Sequence, residues 1–275
     1  KSDYQGGVQI HIGGPMKPPK PPSRTGKVSF WQYGRLFKKD ILSAQPARLY
    51  RAWMAEFKTP FFSSYLVNQP DLVKTVLNER PMEFPKSGRV AEGFRPLFGD
   101  SVFLTNGAVW ERQRRIIDPA FEGGRLRDTY PAMWAATEAA VDRIRARLEE
   151  GVIEIEEEAS YAAADIIFRT LFSLPIEHES AHEVFHEFRA YQRSQPVVNL
   201  AALIPLPKWV PRGFSKETKR SARKIRDLIA RMTFDRQAEI EAGTAPNDLA
   251  TKIMTTRDPE TGELFTPEEM VDQVA

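Results

Sequence analysis

The sequence contains no cysteine among its 275 residues. Disulfides, cysteine nucleophiles and thiolate metal sites are therefore excluded within these residues. The sequence also lacks an apolar run of the roughly 18 residues that a membrane-spanning helix needs, and its first residues lack the apolar stretch of a signal peptide. We therefore expect no transmembrane segment and a cytoplasmic location.

An excess of charge of one sign is also missing, because 39 Lys and Arg face 37 Asp and Glu, for a net charge of +2. Proteins that bind nucleic acid usually carry a basic excess, so no nucleic acid partner is expected. Hydrophobic residues make up 41% of the chain and charged residues 28%, which is typical of a globular protein with a large buried core.

The pattern along the chain predicts a mainly α fold with a small β portion. Residues 1–26 are rich in Gly, Pro and Lys, which favours an extended tail before a globular part over 27–275. The stretch 81–107 is expected to be a long irregular connection. Strands are predicted over 61–67 and 152–155. Helices are predicted over 46–58, 70–79, 108–117, 126–150, 160–174, 179–193, 215–241 and 247–255.

A last helix is predicted to begin at Thr266, which is followed by Pro267 and two glutamates. Thr is a favourable N-cap and Pro is favoured at the first helical position. The chain reaches Ala275 soon after this start. Together with the absence of cysteine, this interrupted helix favours an incomplete domain.

The first motif with chemical meaning is Gly107-Ala-Val-Trp110-Glu-Arg-Gln-Arg114, followed by an Asp-Pro-Ala-Phe stretch. Trp110 and Arg114 are four residues apart and share one face of a helix. An indole N–H beside a guanidinium offers several donors to a carboxylate or phosphate. The alternative is a basic amphipathic helix anchored by a buried Trp.

The stretch GDSVFLTNGAVWERQRRIIDPAF and the order of elements around it resemble the cytochrome P-450 family of haem-thiolate monooxygenases, bacterial soluble type. The resemblance covers about residues 30 to 275 and implies helices A to H and the start of helix I of that fold. It implies that Trp110 and Arg114 contact a propionate of haem b. It also implies an apolar small-molecule substrate, electrons from a ferredoxin or flavin reductase, and a monomer.

The same resemblance places Phe103, with Val102 and Leu104 as further candidates, above the haem on the substrate side. The alternative for Phe103 is simple core packing. The resemblance implies that the exposed side of the 108–117 helix, with Arg112 and Arg115, meets an acidic redox partner; the alternative is that these charges serve solubility alone. It also implies that the apolar stretch 196–210 and the helices around it cap the substrate pocket as a mobile lid. Contact with a membrane surface and a core-packed loop followed by a solvated helix face are the alternatives.

A second motif, His182-Glu183-Val184-Phe185-His186, matches the H-E-x-x-H pattern of zinc peptidases. On a helix the two histidines could bind zinc, with Glu183 as general base. The charged Glu187 after the second histidine and the lack of a downstream third ligand weaken this hypothesis. An exposed face rich in His and Glu is the alternative, so no metal site is assigned here.

Three functions therefore stand at this point: the N-terminal portion of a haem monooxygenase, a zinc hydrolase, and a non-catalytic helical binding module. The family's iron ligand is a cysteine, which is expected beyond residue 275 because these residues contain none. We expect no catalytic residue in this segment, and expect the segment alone to be inactive and to bind haem weakly.

Overall fold

A computed structural model describes residues 22–40, 42, 44–58, 63–194 and 214–275. The chain divides into two compact units, Lys1–Pro70 and Asp71–Ala275. Most of the expected tail over 1–26, and the whole apolar stretch 196–210, lie outside the described residues. The described part is mainly helical with a two-stranded sheet, as the sequence predicts.

The first unit contains helix α1 (Phe30–Lys39) and the hairpin strands β1 (Met54–Lys58) and β2 (Ser63–Val67). Ser29 caps α1 by accepting a hydrogen bond from the Gln32 N–H at 3.3 Å. The strands pair antiparallel, with Met54 opposite Val67. The second strand agrees with the strand predicted over 61–67.

The helix predicted over 46–58 is wrong. This stretch forms a 3₁₀ turn at Ala47–Arg51 and then β1. Trp53 and Met54, which the helical spacing would place on one side of that helix, are 76% and 54% exposed. Backbone pairing with β2 decides the conformation here, because strand preference depends more on a pairing partner than on local spacing.

The second unit is built almost entirely from helices. Their bounds are α2 (Pro70–Lys74, continued by a π turn at Thr75–Glu79), α3 (Gly88–Phe98), α4 (Gly107–Ile117), α5 (Arg125–Asp128), α6 (Tyr130–Ala146), α7 (Ile155–Phe172), α8 (Glu179–Ser194), α9 (Lys216–Glu241), α10 (Leu249–Thr255) and α11 (Pro267–Val274). Helix α8 packs along α9, and α6 packs along α7. None of the described helices is long and apolar enough to cross a membrane.

The core of this unit is one apolar cluster shared by α3, α4, α7, α8, α9, α10 and α11. Its fully buried members include Phe172 at the end of α7, Ile176 after α7, Leu228 on α9 and Met270 on α11. Buried apolar area of this kind is the main favourable contribution to folding. The core therefore holds α11 against α9 and α3.

Three further expectations from the sequence differ from the structure. The stretch 81–107 is not wholly irregular, because α3 forms within it and buries Ala91 and Leu97. The glycines and Pro96 of α3 conceal this helical spacing. The long helix over 126–150 is divided into α5 and α6, and Pro131 stands in the first turn of α6.

The strand predicted over 152–155 is absent from the described structure. Glu154 caps α7 instead, and three glutamates in the first turn favour a helix start by their charge. Val152 is 90% exposed and pairs with no strand. The Thr266 helix start is confirmed, since Thr266 and Glu269 exchange side chain to backbone hydrogen bonds of 3.2 and 2.9 Å.

Candidate cofactor-binding site

The start of α4 is fixed by a two-way hydrogen bond with an upstream segment. The Asn106 side chain accepts from the Lys86 N–H at 2.8 Å and donates to the Lys86 carbonyl at 3.2 Å. Gly107 has φ +60, a conformation that suits glycine, as the chain turns into the helix. This clamp brings residue 86 to the N-terminal end of α4.

The Lys86 side chain reaches over that end of the helix. Its ammonium donates to the carbonyls of Val102 at 2.8 Å and Thr105 at 2.9 Å. The same nitrogen lies 5.2 Å from the centre of the Trp110 ring, a distance at which a cation is attracted to the face of an indole. Lys86 was not singled out in the sequence.

Trp110 and Arg114 lie together on α4, as the spacing predicts. The guanidinium carbon of Arg114 is 5.9 Å from the centre of the Trp110 ring. Arg114 binds Asp118 through Nε at 2.9 Å, and its two terminal nitrogens make no hydrogen bond to any residue that the structure describes. The indole N–H of Trp110 likewise has no acceptor within the described ranges.

The electrostatics of this group favour an anion. Partial burial lowers the pKa of the Lys86 ammonium below its ordinary value, and the positive charge of Arg114 lowers that pKa further. A carboxylate placed between the two cations would offset both effects, because an opposite charge favours the charged form of a base. The donor set of an ammonium, an indole N–H and a guanidinium fits a propionate.

On the opposite side of α4, two arginines form ion pairs with the C-terminal part of the chain. Arg112 binds Glu269 of α11 at 2.7 Å and donates to the Leu264 carbonyl at 3.1 Å. Arg115 binds Asp258 through two nitrogens, at 2.6 and 3.0 Å. The two arginine side chains are only 21% and 25% exposed.

The expectation that Arg112 and Arg115 present a free basic surface to an acidic partner is therefore wrong. Both form ion pairs, Arg112 with α11 and Arg115 with the segment before it, and these pairs fasten α4 in place. Asp258 is fully buried, and the hydrogen bonds from Arg115 hold the pKa of its carboxyl well below the usual range. These arginines position the helix that carries Trp110.

The three substrate-pocket candidates differ in their exposure. Phe103 is 62% exposed, Leu104 is only 5% exposed, and Val102 lies between them. Phe103 packs against Phe98 and Phe94 of α3 with ring centres 5.6 and 6.4 Å apart. Phe103 and Phe94, itself 39% exposed, thus form an apolar surface beside the start of α4, whereas Leu104 is a core residue.

The loop that carries these residues is tied to α11. Asp272 accepts from the Asp100 N–H at 2.9 Å and from Arg226 of α9 at 2.6 Å. Gln273 accepts from the Val102 N–H at 2.8 Å. Gly99, with φ +51, leaves the space that the Asp272 carboxylate occupies. The position of Phe103 therefore depends on α9 and α11.

The His182 and His186 side chains do meet on α8, with their Nε2 atoms 3.1 Å apart. Glu183, the general base of the zinc-hydrolase hypothesis, forms an ion pair with Lys224 at 2.9 Å. No group of three or more potential metal ligands exists among the described residues. The pair thus lacks the third protein ligand that catalytic zinc sites use.

Comparison with known proteins decides the family. The family model described as Cytochrome P450 matches residues 45–275. This chain belongs to the cytochrome P450 family. The resemblance seen around Trp110 and in the order of the helices is thereby confirmed, and the zinc hydrolase and the non-catalytic module are not favoured.

Similar P450 sequences come from plants and bacteria. Cytokinin hydroxylase of Arabidopsis thaliana is 26% identical over 202 residues, which are 70% of this chain and 39% of that protein. Cyclooctat-9-en-7-ol 5-monooxygenase of Streptomyces melanosporofaciens is 28% identical over 220 residues, which are 77% of this chain and 44% of that protein. The chain thus spans less than half the length of these P450 relatives.

A crystal structure of a cytochrome P450 (CYP102L1) has the same fold, with a TM-score of 0.61 and 19% sequence identity. The match covers 82% of this chain and 52% of the other. The mainly helical P450 architecture expected from the sequence is therefore confirmed for these residues.

Proposed function

We propose that this chain is the N-terminal portion of a haem-dependent monooxygenase that hydroxylates an apolar small molecule with dioxygen. The family membership over residues 45–275 supports haem chemistry, and two relatives bear the names of a hydroxylase and a monooxygenase. The observation that carries the proposal is the cluster on and beside α4 in which the cations of Lys86 and Arg114 lie 5.2 and 5.9 Å from the centre of the Trp110 ring.

In this proposal Trp110, Arg114 and Lys86 bind the propionate end of haem b. When bound, the haem supplies the iron that activates dioxygen. The indole N–H and the terminal nitrogens of Arg114 donate to one carboxylate, and Lys86 adds positive charge beside it. A hydrogen bond to a charged group is stronger than one between neutral groups. The indole N–H and the two terminal nitrogens of Arg114 would therefore hold the propionate edge of the haem in one orientation.

In this proposal the thiolate that holds the haem iron would come from a cysteine outside these 275 residues, since the chain itself contains none. Thiolate ligation favours cleavage of the dioxygen bond. Propionate contacts alone do not replace an axial ligand. The segment alone is therefore proposed to be inactive and to retain haem poorly.

The apolar surface of Phe94 and Phe103 supports an apolar substrate. Exposed aromatic side chains grouped beside a polar anchor are typical of ligand pockets, where a few polar groups set orientation and apolar walls supply affinity. We propose that Phe103 contacts substrate, with Val102 nearby. Leu104, which is buried, shapes the loop from within.

The electron donor, the location and the oligomeric state are proposed from the family resemblance. Electrons come from a ferredoxin or flavin reductase, and the enzyme works as a cytoplasmic monomer. Because Arg112 and Arg115 are held in ion pairs, such a redox partner would use other basic residues of the protein.

The test is absorption spectroscopy of the full-length gene product, reduced and exposed to carbon monoxide. The proposal expects one haem per chain and the red-shifted band that thiolate ligation produces. Zinc in place of iron, found by metal analysis at one ion per chain, would overturn the proposal in favour of the hydrolase. A protein that takes up no haem would overturn it as well.

A further inference from the structure

We infer that His182 and His186 form a binding site for a divalent transition-metal ion on α8, separate from the proposed haem site. The two imidazoles lie one helical turn apart, and both are exposed. Their ring centres are 4.3 Å apart, and their Nε2 atoms lie within hydrogen-bond distance of each other. Imidazole nitrogens suit Zn²⁺, Ni²⁺ and Cu²⁺.

The geometry matches a shared ion. The two Nε2 atoms are 3.1 Å apart. With metal–nitrogen bonds of about 2.0–2.1 Å, this separation corresponds to an N–metal–N angle of about 100°. That angle lies between the square and the tetrahedral ideals, so the separation of the two nitrogens suits chelation of one ion.

The surroundings attract a cation. The histidines line an open groove of about 630 Å³, together with Glu179, Glu183, Glu187 and Lys224 among others. Lys224 binds Glu187 at 2.7 Å and Glu183 at 2.9 Å, so these two carboxylates are already neutralised in part. Glu179, one turn before His182, forms no ion pair with any described residue and leaves the groove acidic.

Two imidazoles leave further coordination positions open for water. Glu183 is held by Lys224 and is not free to act as a general base, so the site binds an ion without hydrolytic chemistry. Since both ligands belong to one helical turn of α8, bound metal stabilises that turn. A ligand that binds only the folded state raises its stability, and the gain grows with the logarithm of the ligand concentration above Kd.

The experiment is a titration of the full-length, haem-loaded, tag-free protein with Zn²⁺, followed by calorimetry. The inference expects one Zn²⁺ per chain with micromolar affinity, and no displacement by a large excess of Mg²⁺, which prefers oxygen ligands. The variants His182→Gln and His186→Gln are each expected to bind about tenfold or more weakly, as the loss of one of two ligands implies.

His178→Gln is the matched control, because His178 is exposed, lies one turn earlier and does not line the groove. It should bind Zn²⁺ like the unmodified protein. Circular dichroism and the haem spectrum of all three variants check that folding is intact. With Cu²⁺ as probe, electron paramagnetic resonance should show nitrogen ligands that disappear in either groove variant.

Three results would overturn the inference. One is the absence of saturable Zn²⁺ binding below about millimolar concentration. Another is unchanged binding in both groove variants. The third is a loss in His178→Gln as large as in the other two.

Discussion

The ammonium of Lys86 lies 5.2 Å from the centre of the Trp110 ring, and the guanidinium carbon of Arg114 lies 5.9 Å from the same centre. Two cations thus flank one indole, although Lys86 comes from a segment 24 residues before Trp110. Lys86 also donates to two carbonyls of the intervening loop. This arrangement places positive charge where we propose that a haem carboxylate binds.

Replacing Lys86 by Met should weaken haem retention in the full-length protein. The substitution removes the positive charge beside the proposed propionate, and a cation about 4 Å from a carboxylate contributes about 1–4 kcal/mol, so haem should dissociate about tenfold or more faster. Transfer of haem to an apoglobin acceptor measures this rate. Lys219→Met, an exposed substitution on α9, is the control and should behave like the unmodified protein. Equal rates for both variants would contradict the role of Lys86.

The titration of Lys86 itself reports on its neighbour. Burial and the charge of Arg114 lower the pKa of Lys86. In the haem-free protein Arg114→Gln removes that charge, so the Lys86 ammonium should lose its proton at higher pH. Nuclear magnetic resonance of labelled lysine side chains follows this titration. Arg223→Gln on the exposed side of α9 should leave the pKa of Lys86 unchanged. A lower pKa of Lys86 in Arg114→Gln would refute the coupling.

The buried Asp258 and its partner Arg115 predict a pH dependence of stability. The pKa of Asp258 lies below its ordinary value of 3.8 because Arg115 donates to it. A carboxyl with a depressed folded pKa binds fewer protons in the folded state. Its stabilisation is thus fully present above the ordinary value and is lost as the pH falls through the folded pKa.

Asp258→Asn should therefore lower the melting temperature at neutral pH. The difference in melting temperature between this variant and the unmodified protein should shrink below about pH 4. Thermal unfolding followed by circular dichroism across this range measures the difference. Asp142→Asn is the control, because Asp142 and its partner Arg145 are both about 70% exposed, and exposed pairs contribute little. A difference that grows toward acid pH would be inconsistent with the ion pair.

The features that were predictable from the sequence depend on neighbours in the chain. Trp110 and Arg114 share a face because they are four residues apart, and Thr266 caps α11 through Glu269, three residues on. The roles of Arg112 and Arg115 were missed because their partners lie more than 140 residues away along the chain. Only the tertiary packing of α4 against α11 brings these charges together.

Lys86 was missed for a similar reason. It lies in a stretch without regular spacing, and its contacts come through backbone carbonyls, which leave no mark in the sequence. Over 46–58 the sequence predicted an element that does not form. The apolar spacing there is helical, but the backbone of β1 within this segment pairs with β2. A pairing partner outweighs local pattern where a strand edge is available.

A substitution at Gly99 tests how much the contact between the end of α3 and Asp272 of α11 contributes to stability. With φ +51, any side chain there is strained by about 1–2 kcal/mol, and the Asp272 carboxylate fills the position of an added Cβ. Gly99→Ala should thus lower the melting temperature by more than Gly243→Ala. Gly243 has φ +70 but open space around its Cβ position, so it isolates the strain alone. Equal losses in thermal unfolding would show that the contact with Asp272 contributes nothing.

Phe103→Ala tests the apolar surface. Burying a phenyl group against a ligand contributes about 1.5–3 kcal/mol, so the affinity for apolar ligands should fall by about tenfold or more, while haem content stays unchanged. Ligand-induced shifts of the haem spectrum measure this affinity. Phe121→Ala is the control, since Phe121 is also exposed but lies outside the aromatic cluster. Similar affinity in both variants would argue against a substrate contact.

The central claim is that the start of α4 holds a haem propionate. A crystal structure of the full-length, haem-loaded protein measures this directly, as the distance from the Trp110 indole nitrogen to the nearest propionate oxygen. We predict a hydrogen bond of about 2.7–3.2 Å, with a terminal nitrogen of Arg114 on the same carboxylate. A haem whose propionates both lie beyond hydrogen-bond reach of Trp110, Arg114 and Lys86 would contradict the claim.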